Sequence, residues 1–197
     1  MSRQAERSDA TRAKLVRAAR ELFAKRGYAD VGTEEIVRRA RVTRGALYHH
    51  FEDKRDLFRA VHEQIEGEVT DRIGAALGDA GSEDPVEALR TAARTFLDAC
   101  TEPEIARITL LDAPSVLGWA EWRRIDEKYG LGLTIAGLNM GMEAGRLRRR
   151  PVRPLAHLLL AAMGEAGMVI ANAEDPNAAR AEVEPAILSL LDGLEKR

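Results

Sequence analysis

The chain has 197 residues, 45% of them apolar and 31% charged, and a formal net charge of −2. That length suits one domain or two closely coupled ones, and the composition excludes a disordered chain. The single cysteine, Cys100, excludes an intramolecular disulfide, a CxxC redox pair and cysteine-based zinc spacing, and fits a reduced, cytoplasmic setting.

The first fourteen residues are polar and lack the apolar run of a secretory signal. Arg3, Arg7 and Arg12 in this leader form a solvated tail or a basic arm able to touch a polyanion. A first helix is predicted over residues 9–26, with Leu15, Ala18, Ala19, Leu22 and Phe23 as its apolar stripe and Gly27 closing it. Thr33 is expected to cap a second, short helix whose first turn holds Glu34 and Glu35 and whose inner face is Ile36, Val37 and Ala40. Thr43 caps a third helix, and Val42 and Leu47 have the spacing of a hydrophobic staple. Only residues 41–43 separate these two helices. A fourth, longer helix starts near Asp53, with Asp53 and Asp56 at capping-box spacing. It runs through Leu57, Phe58, Val61, Ile65, Val69 and Ile73 to a loop at residues 78–82.

Asp84-Pro85-Val86-Glu87 is a strong start signal for a fifth helix reaching about residue 101. A short helix follows Pro103, and a long one is predicted over residues 115–145. After the basic stretch 146–154 come a helix over residues 155–173 and a last one after Asp175-Pro176, which Pro185 should kink or restart. The segment 155–173 holds His157 and Glu165, whereas a bilayer span needs roughly 18 or more apolar residues with few charges, so no membrane contact is expected. Without a sustained period-2 run the fold class is all-α, with about nine helices.

The net charge hides a division. Residues 1–59 carry 15 Lys and Arg against 9 Asp and Glu, a balance of +6, and residues 60–197 carry 15 against 23, a balance of −8. A basic third joined to an acidic remainder suggests that one part meets a polyanion and the other is kept off it; uneven solvated charge is the plainer reading.

The segment from Thr33 to Lys54 carries Thr33, Ile36, Ala40, Val42, Gly45, Leu47, Tyr48, Phe51 and Lys54 at fixed spacing, with Leu22, Phe23, Gly27 and Tyr28 before it and Leu57 after. In this stretch, residues 9–60, the chain resembles the TetR (tetracycline-repressor) family of bacterial transcriptional regulators. The resemblance implies a three-helix helix-turn-helix DNA-binding domain over residues 1–55. It also implies a helical ligand-binding and dimerisation domain over residues 56–197. One departure is Arg41, which stands where the family has glycine and puts the turn conformation in doubt, because a non-glycine residue prefers negative φ.

A helix-turn-helix lays its second helix in the major groove with the N-terminal end toward the bases. That end is Thr43, Arg44, Gly45 and Ala46, small apart from Arg44, which can pair with a guanine edge or hold a phosphate. Thr43 serves as cap or phosphate donor. The resemblance implies DNA contacts from Tyr48 and His49. Tyr48 as core is the alternative, and Phe51 is assigned to core. Lys54 at the start of the fourth helix, and Thr33, are expected phosphate sites. His49 and His50 diverge by about 100° on a helix and lack a third ligand, so no metal is expected. One of the pair packs on the first helix, and His49 is expected to face DNA.

In the remainder, Trp119, Trp122, Asp126, Tyr129 and Leu133 share a helical face. With Phe96 and Cys100 they make a candidate pocket for an apolar or aromatic effector. The alternative is that the tryptophans and Cys100 are core and Asp126 pairs with a neighbouring arginine at the surface. Gly137, Gly141 and Gly145, four apart, mark close packing or room for a ligand. Ala162, Ala166, Val183, Ile187, Leu190, Leu191 and Leu194 are read as a homodimer surface, a four-helix bundle across a two-fold axis, or else as closing the monomer's core. No nucleophile elbow, phosphate loop or HExxH motif is present, so neither an enzyme nor a cofactor is expected. The leading expectation is a homodimeric repressor released from a palindromic operator by a small molecule. The alternative is a helical scaffold that binds a protein partner.

Overall fold

The structure, a computed structural model, describes residues 3–81 and 83–196. α1 (Arg3–Arg26) starts earlier than expected. Gln, Ala, Glu and Arg are good helix formers, so the leader adds turns to the helix instead of trailing as a tail. Arg7 and Arg12 ride on it, while the side chain of Arg3 and the expected loop residue Ser82 lie outside the described residues.

α2 (Thr33–Ala40) is capped by extended Gly32 without a side-chain bond, so Thr33 is its first helical residue and not its cap. α3 (Arg44–His50) does have the expected cap: the Thr43 hydroxyl accepts from the Ala46 N–H at 3.1 Å. Between them Arg41 takes φ 55°, ψ 46°, the left-handed conformation usual for glycine at a helix end. The Arg41 N–H donates to Arg38 O at 3.2 Å and the Val42 N–H to Val37 O at 3.1 Å. These bonds hold the turn despite the Cβ.

α4 (Lys54–Ala80) is capped by Asp53, whose carboxylate accepts from the Asp56 N–H at 2.7 Å. Asp56 reaches back to the Glu52 N–H at 3.1 Å, one residue earlier than the usual reciprocal bond. α5 (Pro85–Cys100) starts on the Asp84 cap, as expected. α6 spans 103–117 and includes a π-helical segment, Ala106–Asp112. Gly118, at φ 79°, ψ 151°, ends it. α7 then runs from 119 to 143, with a π segment at Glu127–Leu131. The single helix expected over 115–145 is therefore broken at Gly118, whose positive φ a side chain would disfavour.

α8 (Val152–Ala171) and α9 (Pro176–Asp192) follow. α9 runs through Pro185 unbroken. Pro185 and Ala181 are both exposed, so water can take the carbonyl that proline leaves without a donor. Among the described residues no strand forms; one isolated bridge, Leu147 with Glu195, pins the α7–α8 loop to the C-terminal segment.

Three apolar clusters fill the fold. The first joins α1–α4 to α6 and the start of α7 and includes Phe23, Leu47, Phe58, Ile108 and Ile125. Phe23 and Tyr28 meet the Phe58 ring at 5.3 and 5.2 Å. The second lies among α5, α6, α8 and α9 (Leu97, Leu110, Ile170, Leu191), and the third among α5, α7 and α8 (Val86, Leu138, Ala156).

These clusters redistribute the expected dimer stripe. Ala166, Ile187 and Leu191 are buried in the second cluster, Ala162 and Val183 pack half-buried against it, and Leu194 packs on the third. Only Leu190 is exposed. A helix lying on three neighbours turns its strongest apolar stripe inward, and its weaker face stays out. That outer face holds Leu158, Val169 and Leu190. α8 is long and apolar enough by composition to cross a bilayer, and here it packs against α5, α6, α7 and α9. Gly137 and Gly141 serve close packing: an added Cβ would lie 2.6 Å from Leu89 and 2.5 Å from Leu147.

Replacing Arg41 by glycine removes the left-handed penalty of about 1–2 kcal/mol, partly offset by chain entropy. Arg41→Gly is expected to raise stability by about 0.5–1 kcal/mol in urea unfolding, with an unchanged slope.

Candidate DNA interface and sensor cavity

α3 presents Thr43, Arg44, Gly45, Tyr48 and His49 to solvent, with Ala46 half-buried and Leu47 and Phe51 in the core. Tyr48 is 45% exposed and is not core. The Arg44 guanidinium lies over the Tyr48 ring at 5.6 Å and is only loosely paired with Glu34, at 3.9 Å. An added Cβ at Gly45 would meet nothing closer than Thr43 Oγ1 at 3.9 Å, so internal packing does not require glycine there. His50 turns inward beside Phe51, and burial lowers its pKa. Thr33 sits half-buried at the start of α2, its hydroxyl free of the expected cap duty.

Lys54 departs from expectation. Its ammonium donates to Tyr28 O and Val31 O, both at 2.9 Å, and lies 3.9 Å from the Tyr28 ring centre. Two of its three donors close the α1–α2 loop, and burial lowers its pKa. It is a strut first, with at most one donor left for a phosphate.

Ion pairs and hydrogen bonds join these helices to the C-terminal half. Arg20 on α1 bonds Glu104 at 2.9 Å and Glu68 at 2.6 Å. The Tyr28 N–H donates to Asp112 at 2.7 Å. Arg55 donates to the carbonyls of Val116 (3.0 Å) and Leu117 (2.7 Å) and to Glu121 (2.6 Å), and Arg59 holds the same Glu121 carboxylate.

Behind this joint, α4, α5, α6, α7 and α8 enclose a cavity. Of the expected pocket residues, Phe96, Cys100, Trp122 and Asp126 line it. Trp119 and Tyr129 do not. Trp119, the first residue after Gly118, is 67% exposed and leans on Trp122 at 4.9 Å. Tyr129 packs above Gly67, under the Lys128 ammonium. The Trp122 indole N–H donates to Thr109 O at 3.1 Å, which makes Trp122 both wall and core. Asp126 lines the cavity and bonds Arg123 at 2.9 Å, and the pair is largely covered and not at the surface. Burial raises its pKa to about 6.

Sequence reasoning missed Glu66 and His62, both on α4. Glu66 lines the cavity, and burial together with the Asp126 charge raises its pKa to about 8. His62 is fully buried, neither ring nitrogen has a partner, and burial lowers its pKa to about 4. Its Nδ1 lies 3.8 Å from Glu66 Oε1, beyond a hydrogen bond. The available signal was a histidine and a glutamate four apart, flanking the apolar stripe of α4.

Two family models match the chain: "Bacterial regulatory proteins, tetR family" over residues 15–61, and "Tetracyclin repressor-like, C-terminal domain" over residues 86–194. The chain belongs to the TetR family. Its crystal-structure neighbours include a TetR-family transcriptional regulator from Pectobacterium atrosepticum, 36% identical, with TM-score 0.87 over 100% of this chain and 99% of that one. The transposon Tn10 TetC protein of Escherichia coli is 29% identical over 79% of this chain and 78% of its own. The regulator CymR of Pseudomonas putida is 38% identical over 48% of each chain. RolR, solved in complex with resorcinol, shares the fold at TM-score 0.73 and 23% identity, covering 94% of this chain and 89% of that one.

This TetR-family chain is thus a DNA-binding transcriptional regulator, and its relatives are regulators and not enzymes. Nothing favours the scaffold alternative. Among the described residues no cluster of three or more His, Cys, Asp or Glu is placed to hold a metal.

Glu66 keeps its proton up to about pH 8 when folded and loses it near 4.5 when unfolded. Stability from this group is therefore full below about pH 4.5 and is lost as pH rises toward 8. Glu66→Gln is expected to match the wild type at pH 5 and to exceed it by roughly 2–4 kcal/mol at pH 8 in chemical unfolding.

Proposed function

We propose that the chain is a homodimeric repressor that leaves a palindromic operator when a small apolar or aromatic molecule occupies the α4–α8 cavity. The observation that carries this reading is the double role of α4. Its first residue, Lys54, follows α3 after three residues and holds the α1–α2 loop. The same end is tied to α7 through Arg55, Arg59 and Glu121, and at mid-helix Glu66 lines the cavity with Asp126 of α7. A ligand that moves α7 relative to α4 acts on the helix that positions α3.

Arg44, Tyr48 and His49, with Thr43, Gly45 and Ala46 at the helix start, form the proposed base-reading face; Thr33 and the remaining donor of Lys54 are proposed phosphate contacts. The dimer face is proposed on the outer sides of α8 and α9, around Leu158, Val169 and Leu190. Two α3 helices would then read half-sites about 34 Å apart or a multiple of that. A coupling of about 1–3 kcal/mol between cavity and operator changes DNA affinity about 5–150-fold, enough for release.

Selection of bound DNA fragments is expected to return a two-fold symmetric sequence. On that sequence Arg44→Ala should weaken binding about 5–100-fold, from roughly 1–3 kcal/mol of base discrimination, with melting temperature and dimerisation unchanged. Enrichment of no sequence would overturn the reading. Leu158→Glu combined with Leu190→Glu is expected to give a folded monomer in sedimentation; a persistent dimer would place the interface elsewhere.

A further inference from the structure

We propose that the cavity selects a ligand bearing a protonated amine on a small apolar or aromatic body, with the ammonium seated between Glu66 and Asp126. This inference rests on the effector reading above and adds a charge to the ligand.

The cavity has two acidic groups, from different helices, and the other polar lining residue, Thr109, donates its hydroxyl to Ile105 O at 2.7 Å. Glu66 comes from α4 and Asp126 from α7, while Val69, Phe96, Leu110 and Trp122 supply apolar wall. Cys100 faces the same space, and its thiol is pushed up by burial and by the Glu66 charge. The cation beside this group, Arg123, is already engaged by Asp126 at 2.9 Å, Glu127 at 3.5 Å and the His157 carbonyl at 3.3 Å. Among the described residues the only basic group paired with Glu66 is His62, 3.8 Å away, and burial keeps that imidazole neutral near pH 7. Both its nitrogens are left without a partner.

An anionic head group would face the Asp126 carboxylate and oppose ionisation of Glu66. A hydroxyl could hydrogen-bond the protonated Glu66 but would gain nothing from its ionisation. An ammonium donates up to three hydrogen bonds and is attracted to both carboxylates once Glu66 gives up its proton. Aromatic walls suit the same charge.

Size points the same way. The open space is about 20 Å³, room for one water-sized group and no ring. A head group enters the space as it stands. The body must lie toward Gly164 on α8, where an added Cβ would meet no heavy atom within 4 Å. Seating it pushes on the helices around the cavity, which is the movement the effector reading requires.

Arrival of the cation drives Glu66 to ionise and release its proton. Affinity should therefore rise with pH up to about 8, as long as the ligand amine stays protonated.

The test uses the full-length chain and three probes with one ring and different heads: benzylamine, benzyl alcohol and benzoate. Binding is followed by tryptophan fluorescence and calorimetry at pH 6, 7 and 8. Benzylamine is expected to bind at least tenfold more tightly than benzyl alcohol, with about a tenfold gain from pH 6 to 8 and proton release at pH 7; benzoate should not bind. Glu66→Gln should lower benzylamine affinity at least tenfold at pH 8 and abolish the pH dependence. Asp126→Asn should lower the affinity too, which keeps the test decisive if one variant fails to fold.

Equal or tighter binding of benzyl alcohol or benzoate, pH-independent binding of benzylamine, or no binding of benzylamine would each overturn the proposal. Operator affinity separates the two readings. Cation-selective binding without DNA release sinks the effector role alone, and DNA release by a neutral compound with no amine preference sinks the charge assignment alone.

Discussion

The fold depends on α4 being buried on more than one side. One flank packs Leu57, Phe58, Val61 and Ile65 with the DNA-binding helices and α6. Another carries Glu66 and Val69 into the wall of the cavity, with His62 buried one turn before Glu66. A helix in that position cannot shift for one neighbour without being felt by the others, because close-packed interfaces transmit displacement and do not absorb it. The polar ties follow the same plan. Lys54 holds the loop before α2, Arg55 and Arg59 grip the α6–α7 corner, and Glu66 looks into the cavity.

The helix-turn-helix was legible because its signals are local. Caps at Thr43 and Asp53, a short turn and one apolar stripe per helix are set by residues a few positions apart. What failed to read correctly depended on distant neighbours. The acid and imidazole of α4 flank an apolar stripe, and periodicity alone assigns such residues to solvent; in the fold His62 is buried and Glu66 is largely covered and lines the cavity. The α8–α9 stripe was identified correctly as apolar, but it packs with α5 and α6 inside the chain, and a sparser outer face with Leu158, Val169 and Leu190 stays exposed. The break at Gly118 was readable in principle. Five further glycines lie on the same predicted helix; an added Cβ would crowd a neighbour at Gly130, Gly137 and Gly141, and Gly145 also takes a positive φ, so nothing local marked Gly118 as the break.

The charge division also changes meaning. The N-terminal excess of +6 is not all available to DNA. Arg20, Arg55 and Arg59 meet Glu68, Glu104 and Glu121 of the acidic part, and Lys54 is turned inward. The acidic remainder therefore does more than stay away from phosphates. Some of its carboxylates are the mortar between the two halves. Arg38, Arg41 and Arg44 of α2, α3 and their turn remain outward, as do Arg7, Arg12, Lys14 and Arg17 along α1.

That mortar gives ionic strength two targets. Salt weakens protein–phosphate attraction by making counterion release less favourable. It also screens the Arg20, Arg55 and Arg59 bridges, less steeply because they are partly shielded from water. A plot of operator affinity against salt concentration will therefore carry a contribution from the joint, and its slope cannot be read simply as a number of phosphates touched.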